Sequence, residues 1–102
     1  MIAFLNGRVA SKGAGWCLLE VGGVGYRLSM STGSIASLPA EGDEALIHTH
    51  LYVREDELSL FGFENEAEKT AFESLITVSG VGPKVALATL SSLTPDALAA
   101  AI

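Results

Sequence analysis

Residues 78–85, Val78-Ser79-Gly80-Val81-Gly82-Pro83-Lys84-Val85, set two glycines, a proline and a lysine in the order that a phosphate-holding turn requires. Gly80 and Gly82 open backbone angles denied to residues with a Cβ and leave room for another backbone to come close. Pro83 suits a first helical position, where its fixed φ matches the helix and its missing N–H would have been unpaired anyway. Unpaired N–H groups and the positive end of the helix dipole would then point outward beside Lys84, an arrangement that holds a phosphate oxygen. This is the chemistry of a helix-hairpin-helix: Ser79, Gly80, Val81, Gly82 and Lys84 would grip a sugar-phosphate backbone and give affinity without sequence readout. The same pattern also describes a tight helix-helix turn with a solvated lysine, because short Gly-x-Gly patterns are frequent.

A second group that could do chemistry is Arg54-Glu55-Asp56-Glu57, where three acids should project together from a hairpin tip. Charged tips commonly serve only to discourage edge-to-edge pairing of sheets. Read functionally, they form either a carboxylate cluster for a metal or a negative post that repels a nucleic-acid backbone. The metal reading is weak, since Mg²⁺ sites in nucleases gather acids from separate elements and no distant acid is an obvious third ligand. His48 and His50 share one strand face and could form half a metal site, but no second Cys or His cluster completes it. Trp16, Tyr26, Tyr52, Phe61 and Phe63 could stack bases, although filling a small barrel core is the plainer expectation. No nucleophile-base-orienter set, oxyanion loop or Walker-type loop is present. No catalytic residue, metal or cofactor is therefore expected, and any ATP-driven work falls to a partner.

These groups need elements to position them. Ala67, Ala71, Phe72, Leu75 and Ile76, then Val85, Leu87, Ala88 and Leu90, recur at helical spacing on either side of the glycine turn. Asn65 with Glu68 has the form of a capping box that opens the first of these helices. Residues 1–63 instead read as strands: Ile2–Val9, a turn at 11–15, Trp16–Val21, a Gly22-Gly23 hairpin, Val24–Met30, a strand from about Ala45 to Arg54, and Leu58–Phe63. Ser31–Leu38 carries the caps and spacing of a helical turn between the third and fourth strands. The pattern predicts a mainly β, five-stranded, partly open barrel of the OB type at 1–63, followed by an all-α helix-hairpin-helix domain at 64–102 with its first hairpin only. An SH3-like barrel is the alternative. Thr94-Pro95-Asp96 predicts a further helix start, and Ala97–Ile102 lacks a terminating signal, so a longer parent protein is expected.

A length of 102 residues with 49% hydrophobic content supports a folded chain with one modest core and a small appendage. Cys17 has no partner for an internal disulfide and sits among apolar neighbours, so a reduced, buried thiol is expected. The absence of a charged leader and of a spanning apolar segment predicts a cytoplasmic, membrane-free protein. The net charge of −6 runs against the basic face expected of a nucleic-acid binder. Arg27, Arg54 and Lys84 could nevertheless share a face opposite the glutamates.

The initial Met-Ile strand, Gly22-Gly23-Val24-Gly25-Tyr26, residues 49–56 (Thr-His-Leu-Tyr-Val-Arg-Glu-Asp), Leu60-Phe61-Gly62-Phe63 and residues 79–84 together closely resemble the bacterial RuvA family. Its members are the Holliday-junction-binding subunits of the RuvAB branch migration complex. The resemblance spans essentially the whole chain. It implies an OB-fold barrel, a helical domain with two helix-hairpin-helix motifs, and a linked C-terminal domain that contacts the hexameric RuvB-type ATPase motor. It also implies a homotetramer that holds four-way junction DNA on one face in recombination, repair and the SOS response. Glu55 and Asp56 match the family's acidic pin, Lys84 and the Gly80–Gly82 backbone match its first hairpin, and Arg54 fits a position near DNA. No second hairpin of the Gly-Ile-Gly-Lys kind follows Thr94, so junction affinity and motor recruitment are expected to need more chain than these residues. A nuclease and a single-strand-binding OB protein are the readings from other classes.

Overall fold

Alternating apolar residues and paired turn residues fold the first part of the chain into five strands, β1 (Phe4–Gly13), β2 (Trp16–Val21), β3 (Val24–Ser29), β4 (Glu44–Arg54) and β5 (Glu57–Phe63). Three helices complete it: α1 (Thr32–Ser37), α2 (Glu66–Leu75) and α3 (Pro83–Ser92). The computed structural model describes residues 1–92. The expected helix start at Thr94-Pro95-Asp96 and the segment 97–102 lie outside the described residues. No helix among the described residues is long and apolar enough to cross a membrane.

The strands close into a barrel in the order β1-β2-β3-β5-β4, antiparallel throughout except for a parallel contact of β3 with β5 at Ser29 opposite Phe61. The OB-type expectation holds, with a closed ring in place of a partly open one. Gly22-Gly23 joins β2 to β3 as a two-residue hairpin, Val21 pairing with Val24. The turn expected at 11–15 is shorter than the sequence signals. β1 continues through Gly13, and only Ala14-Gly15 turns, because Lys12 and Gly13 pair with Cys17 and Trp16. Beside the register shift between Val9 and Ser11, Val9 exchanges backbone hydrogen bonds with Asp43 and Gly42, just before β4.

Val9, Cys17, Leu19, Leu28, Met30 and Ile47 fill the barrel interior. Gly62 also faces inward, and a Cβ there would lie 2.9 Å from Ile47 Cγ2 and 3.1 Å from Met30 Cγ, so only glycine fits the closely approaching strands. Of the aromatic residues expected in this core, Tyr26 packs against it, whereas Phe61, Phe63 and Tyr52 do not. Phe61 and Phe63 project from the outer face of β5 and, with Tyr52 beside them, pack against Ala71, Phe72, Ala86 and Leu90 of α2 and α3. Strand alternation decides this, since β5 turns its odd-numbered residues outward while Gly62 takes the interior.

Candidate nucleic-acid interface

α2 begins at Asn65, whose side chain accepts the Glu68 N–H at 2.8 Å, as the capping signal predicts. The reciprocal half of the box differs: the Glu68 carboxylate accepts the N–H of Glu64, one residue further back, at 3.0 Å. The helix buries Ala71 and Phe72, and the Phe72 ring meets Phe63 and Phe61 at centroid separations of 4.9 and 5.1 Å. This apolar contact seats the helical hairpin on the outer wall of the barrel.

The chain leaves α2 through a descending series of turn hydrogen bonds, Thr77 N–H to Ser74 O, Val78 N–H to Leu75 O and Val81 N–H to Val78 O. Gly80 has φ +86°, the left-handed region that favours glycine. Gly82 keeps a negative φ, so the conformational freedom expected of both glycines is used at one. A Cβ on Gly82 would meet nothing within 4 Å. α3 starts at Pro83 as expected, and its opening hydrogen bond runs from Ala86 N–H to Gly82 O at 3.0 Å. The N–H groups of Lys84 and Val85 precede that bond and are the outward donors at this helix end. Ser79, Gly80 and Lys84 are exposed, whereas Val81 turns its side chain into the helical core and offers only its backbone.

The acidic hairpin divides more finely than the sequence indicates. Glu55 and Asp56 form the two-residue tip, both exposed, between Arg54 and Glu57, which pair across the strands. Glu57 therefore does not project with the other two acids. It shares the outer face with Arg54, accepts a hydrogen bond from Ser59 Oγ at 2.7 Å, and borders a groove of about 400 Å³ together with Ser59, Gly82, Pro83 and Lys84. Strand parity could have located Glu57 on the face of Arg54 from sequence.

Three of the six cations are tied locally, Arg8 to Glu20 at 2.7 Å, Lys12 to the carbonyls of Leu38 and Pro39, and Lys69 to the carbonyl of Ala3. Arg27, Arg54 and Lys84 form no salt bridge among the described residues. Arg54 lies 5.1 Å over the Tyr52 ring and Arg27 5.5 Å over the Trp16 ring, contacts that hold each guanidinium at the surface. Arg54 stands opposite Glu57, Lys84 borders the same groove as Glu57 and Ser59, and Arg27 borders a second groove that also contains Ser59. The three cations thus surround the outer face of β5.

His50 is occupied by a local role: its Nδ1 lies 2.9 Å from Glu73 Oε2 on α2, and its ring packs on Phe72. No group of three potential metal ligands occurs among the described residues. Cys17 is fully buried, and burial pushes its thiol up from the ordinary value, with the charge of Lys12 offsetting part of the effect. Sequence reasoning recognised Glu68 only as a cap; in the structure its carboxylate is buried and accepts the hydroxyls of Ser31 and Ser34 as well.

Residues 1–62 match the family model described as the RuvA N-terminal domain, and residues 72–102 match a SAM-like helix-hairpin-helix tandem. Curated relatives include proteins from Acidobacterium capsulatum, 49% identical over the whole chain and 52% of the relative, and Thermobifida fusca, 53% identical over the whole chain and 50% of the relative. A third, from Chlorobium luteolum, is 54% identical over 91% of this chain and 46% of its own length. Each is named Holliday junction branch migration complex subunit RuvA. The chain spans about half the length of these relatives. With the matched model covering the complete barrel and the identity extending through the glycine turn, this chain belongs to the RuvA family.

Proposed function

We propose that this chain recognises four-way DNA junctions, as the DNA-binding part of a non-catalytic subunit that serves an ATPase motor in branch migration. The observation that carries this reading is the single groove in which Glu57, at the base of the acidic hairpin, meets Gly82, Pro83 and Lys84 of the glycine turn. A phosphate clamp and an acidic post are thereby neighbours on one surface, with Arg54 beside the post. The exposed Ser79, Gly80 and Lys84, with the backbone of Val81 and Gly82, would hold one phosphate of a duplex arm. Residues 1–63 would supply the post and residues 64–102 the clamp.

The one clamp among the described residues is too little for four arms, so the working unit would be a homotetramer, with α2 and adjoining barrel residues at the subunit contact. Glu66, Ala67, Thr70 and Ser74 leave that helix an exposed side for the purpose. Glu55 and Asp56 from four subunits would converge into a ring of negative charge that keeps phosphates from the centre and turns strands outward along the arms. A hexameric RuvB-type motor would be engaged through a C-terminal domain beyond these residues, and a cytoplasmic address follows from work on chromosomal DNA. The single-strand reading loses two of its five stacking candidates, because Phe61 and Phe63 are buried beneath the helices.

The test is the double substitution Glu55→Gln with Asp56→Asn in the full-length protein. Removing the repulsion should tighten binding to linear duplex and lower the junction-to-duplex affinity ratio at every salt concentration. A ratio unchanged across a salt titration would return these acids to the role of a solvated hairpin tip.

A further inference from the structure

Glu68 is the one buried carboxylate among the described residues, and it connects parts of the molecule that the glycine turn and the acidic hairpin do not themselves join. Its Oε2 accepts Ser31 Oγ at 2.8 Å, while Oε1 accepts Ser34 Oγ and the Glu64 N–H. Ser31 and Ser34 are 1% and 2% exposed, so this network is shielded from water. Both serines belong to α1 or its cap, in the connection between β3 and β4, and Ile35 and Leu38 of the same segment pack on the barrel core. α1 also reaches α3: the Thr32 N–H donates to Ser91 Oγ at 3.1 Å. A short segment fixed in the barrel therefore holds both helices that flank the clamp.

Apolar packing of Phe72 on Phe61 and Phe63 keeps α2 against the barrel, but such contact is non-directional and tolerates rotation. Hydrogen bonds to a carboxylate fix direction as well as distance. Glu68 lies in the first turn of α2, and the helix ends at Leu75, seven residues or about 10 Å further along, with the clamp beyond it. A tilt of roughly 10° at Glu68 would move the helix end that leads into the clamp by roughly 2 Å, several times the spread of a good hydrogen-bond length.

We propose that Glu68 is a positioning residue for junction recognition, setting the offset between the phosphate clamp at Gly80–Lys84 and the acidic tip at Glu55-Asp56 without touching DNA. The inference rests on the junction-binding reading, since it is the geometry of that site which the offset serves. Selectivity for branched over linear DNA depends on that offset, whereas the grip of one clamp on one phosphate does not.

The test uses the full-length protein with spin labels at Ala10→Cys on β1 and Ala88→Cys on α3, both exposed positions, with Cys17 buried and unlabelled. With doubly labelled subunits diluted into an excess of unlabelled protein, so that an assembly carries one labelled pair, wild type should give one narrow intrasubunit distance by pulsed electron resonance. Glu68→Ala should broaden it and lower the junction-to-duplex affinity ratio at least about five-fold, the lower end of ordinary coupling between sites. The salt slope on duplex should stay unchanged, and Glu68→Gln, which keeps one oxygen to accept a serine hydroxyl and an N–H that the other serine's oxygen can accept, should keep both distance and ratio near wild type. If Glu68→Ala does not fold, Ser34→Ala, which removes one donor, carries the same test. A variant that loses selectivity with its distance still narrow, or keeps both, overturns the inference. A wild-type protein without junction preference would refute the functional reading instead, and the distances, measured without DNA, tell the two failures apart.

Discussion

At the scale of single residues, Lys84 and Gly80 would divide the work of the proposed clamp. Gly80 sets the path of the backbone through its φ of +86°, and Lys84 supplies the charge at the start of α3. Lys84 is exposed and forms no salt bridge among the described residues, so its ammonium is available to phosphate with little desolvation to overcome. Lys84→Ala in the full-length protein should weaken binding to junctions of any sequence by a similar factor, since a phosphate contact carries no base information. The slope of log affinity against log salt should fall by about one unit per clamp removed. Unchanged affinity and slope in a salt titration would take Lys84 out of the site.

The elements meet through aromatic side chains that lie outside the barrel. Phe72 touches Phe61, Phe63 and His50, so one residue of α2 forms the centre of the contact between helices and barrel. Truncating it by Phe72→Ala should cost about 3–5 kcal/mol, the range for a fully buried phenylalanine that leaves a cavity. The loss should appear first in the helices, because the barrel core of Val9, Leu19, Leu28, Met30 and Ile47 contains no part of Phe72. Hydrogen exchange should therefore show α2 and α3 opening while β1–β3 stay protected. Uniform loss of protection through all eight elements would mean that barrel and helices unfold as one cooperative unit.

For the whole molecule the governing quantity is the number of phosphates held. The net charge of −6 opposes DNA binding, and the three cations around β5 offset it only locally. Log affinity changes roughly in proportion to phosphates neutralised, so one hairpin per subunit leaves binding far weaker than two would. On the junction-binding proposal, residues 1–102 alone should keep the barrel but bind junctions more weakly than the full-length protein. Under the same proposal, extension through a further phosphate-holding hairpin should raise junction affinity. Fluorescence anisotropy with a labelled junction, at matched salt, measures this. Affinity equal to that of the full-length protein in the 102-residue chain would show that barrel and first hairpin suffice.

Local chemistry made much of this legible in advance. Alternation placed the five strands, Asn65 and Pro83 opened their helices where capping and ring geometry require, and Gly80-Val81-Gly82-Pro83-Lys84 marked the turn between α2 and α3 on which the clamp is proposed, because each of these depends on residues within a few positions of one another. The sequence also carried the family resemblance through motifs in a fixed order. Tertiary structure decided what depends on distant partners. Phe61 and Phe63 left the barrel core because β5 must present Gly62 to Ile47 and Met30, a constraint set by strands far apart in sequence. Glu57 separated from Glu55 and Asp56 once cross-strand pairing put it opposite Arg54. Glu68, whose spacing from Asn65 signals only a cap, became a buried tie because Ser31 and Ser34 arrive from a connection more than thirty positions earlier. Local spacing can encode a helix end or a turn; which buried donors a carboxylate will meet is fixed only when the chain has closed on itself.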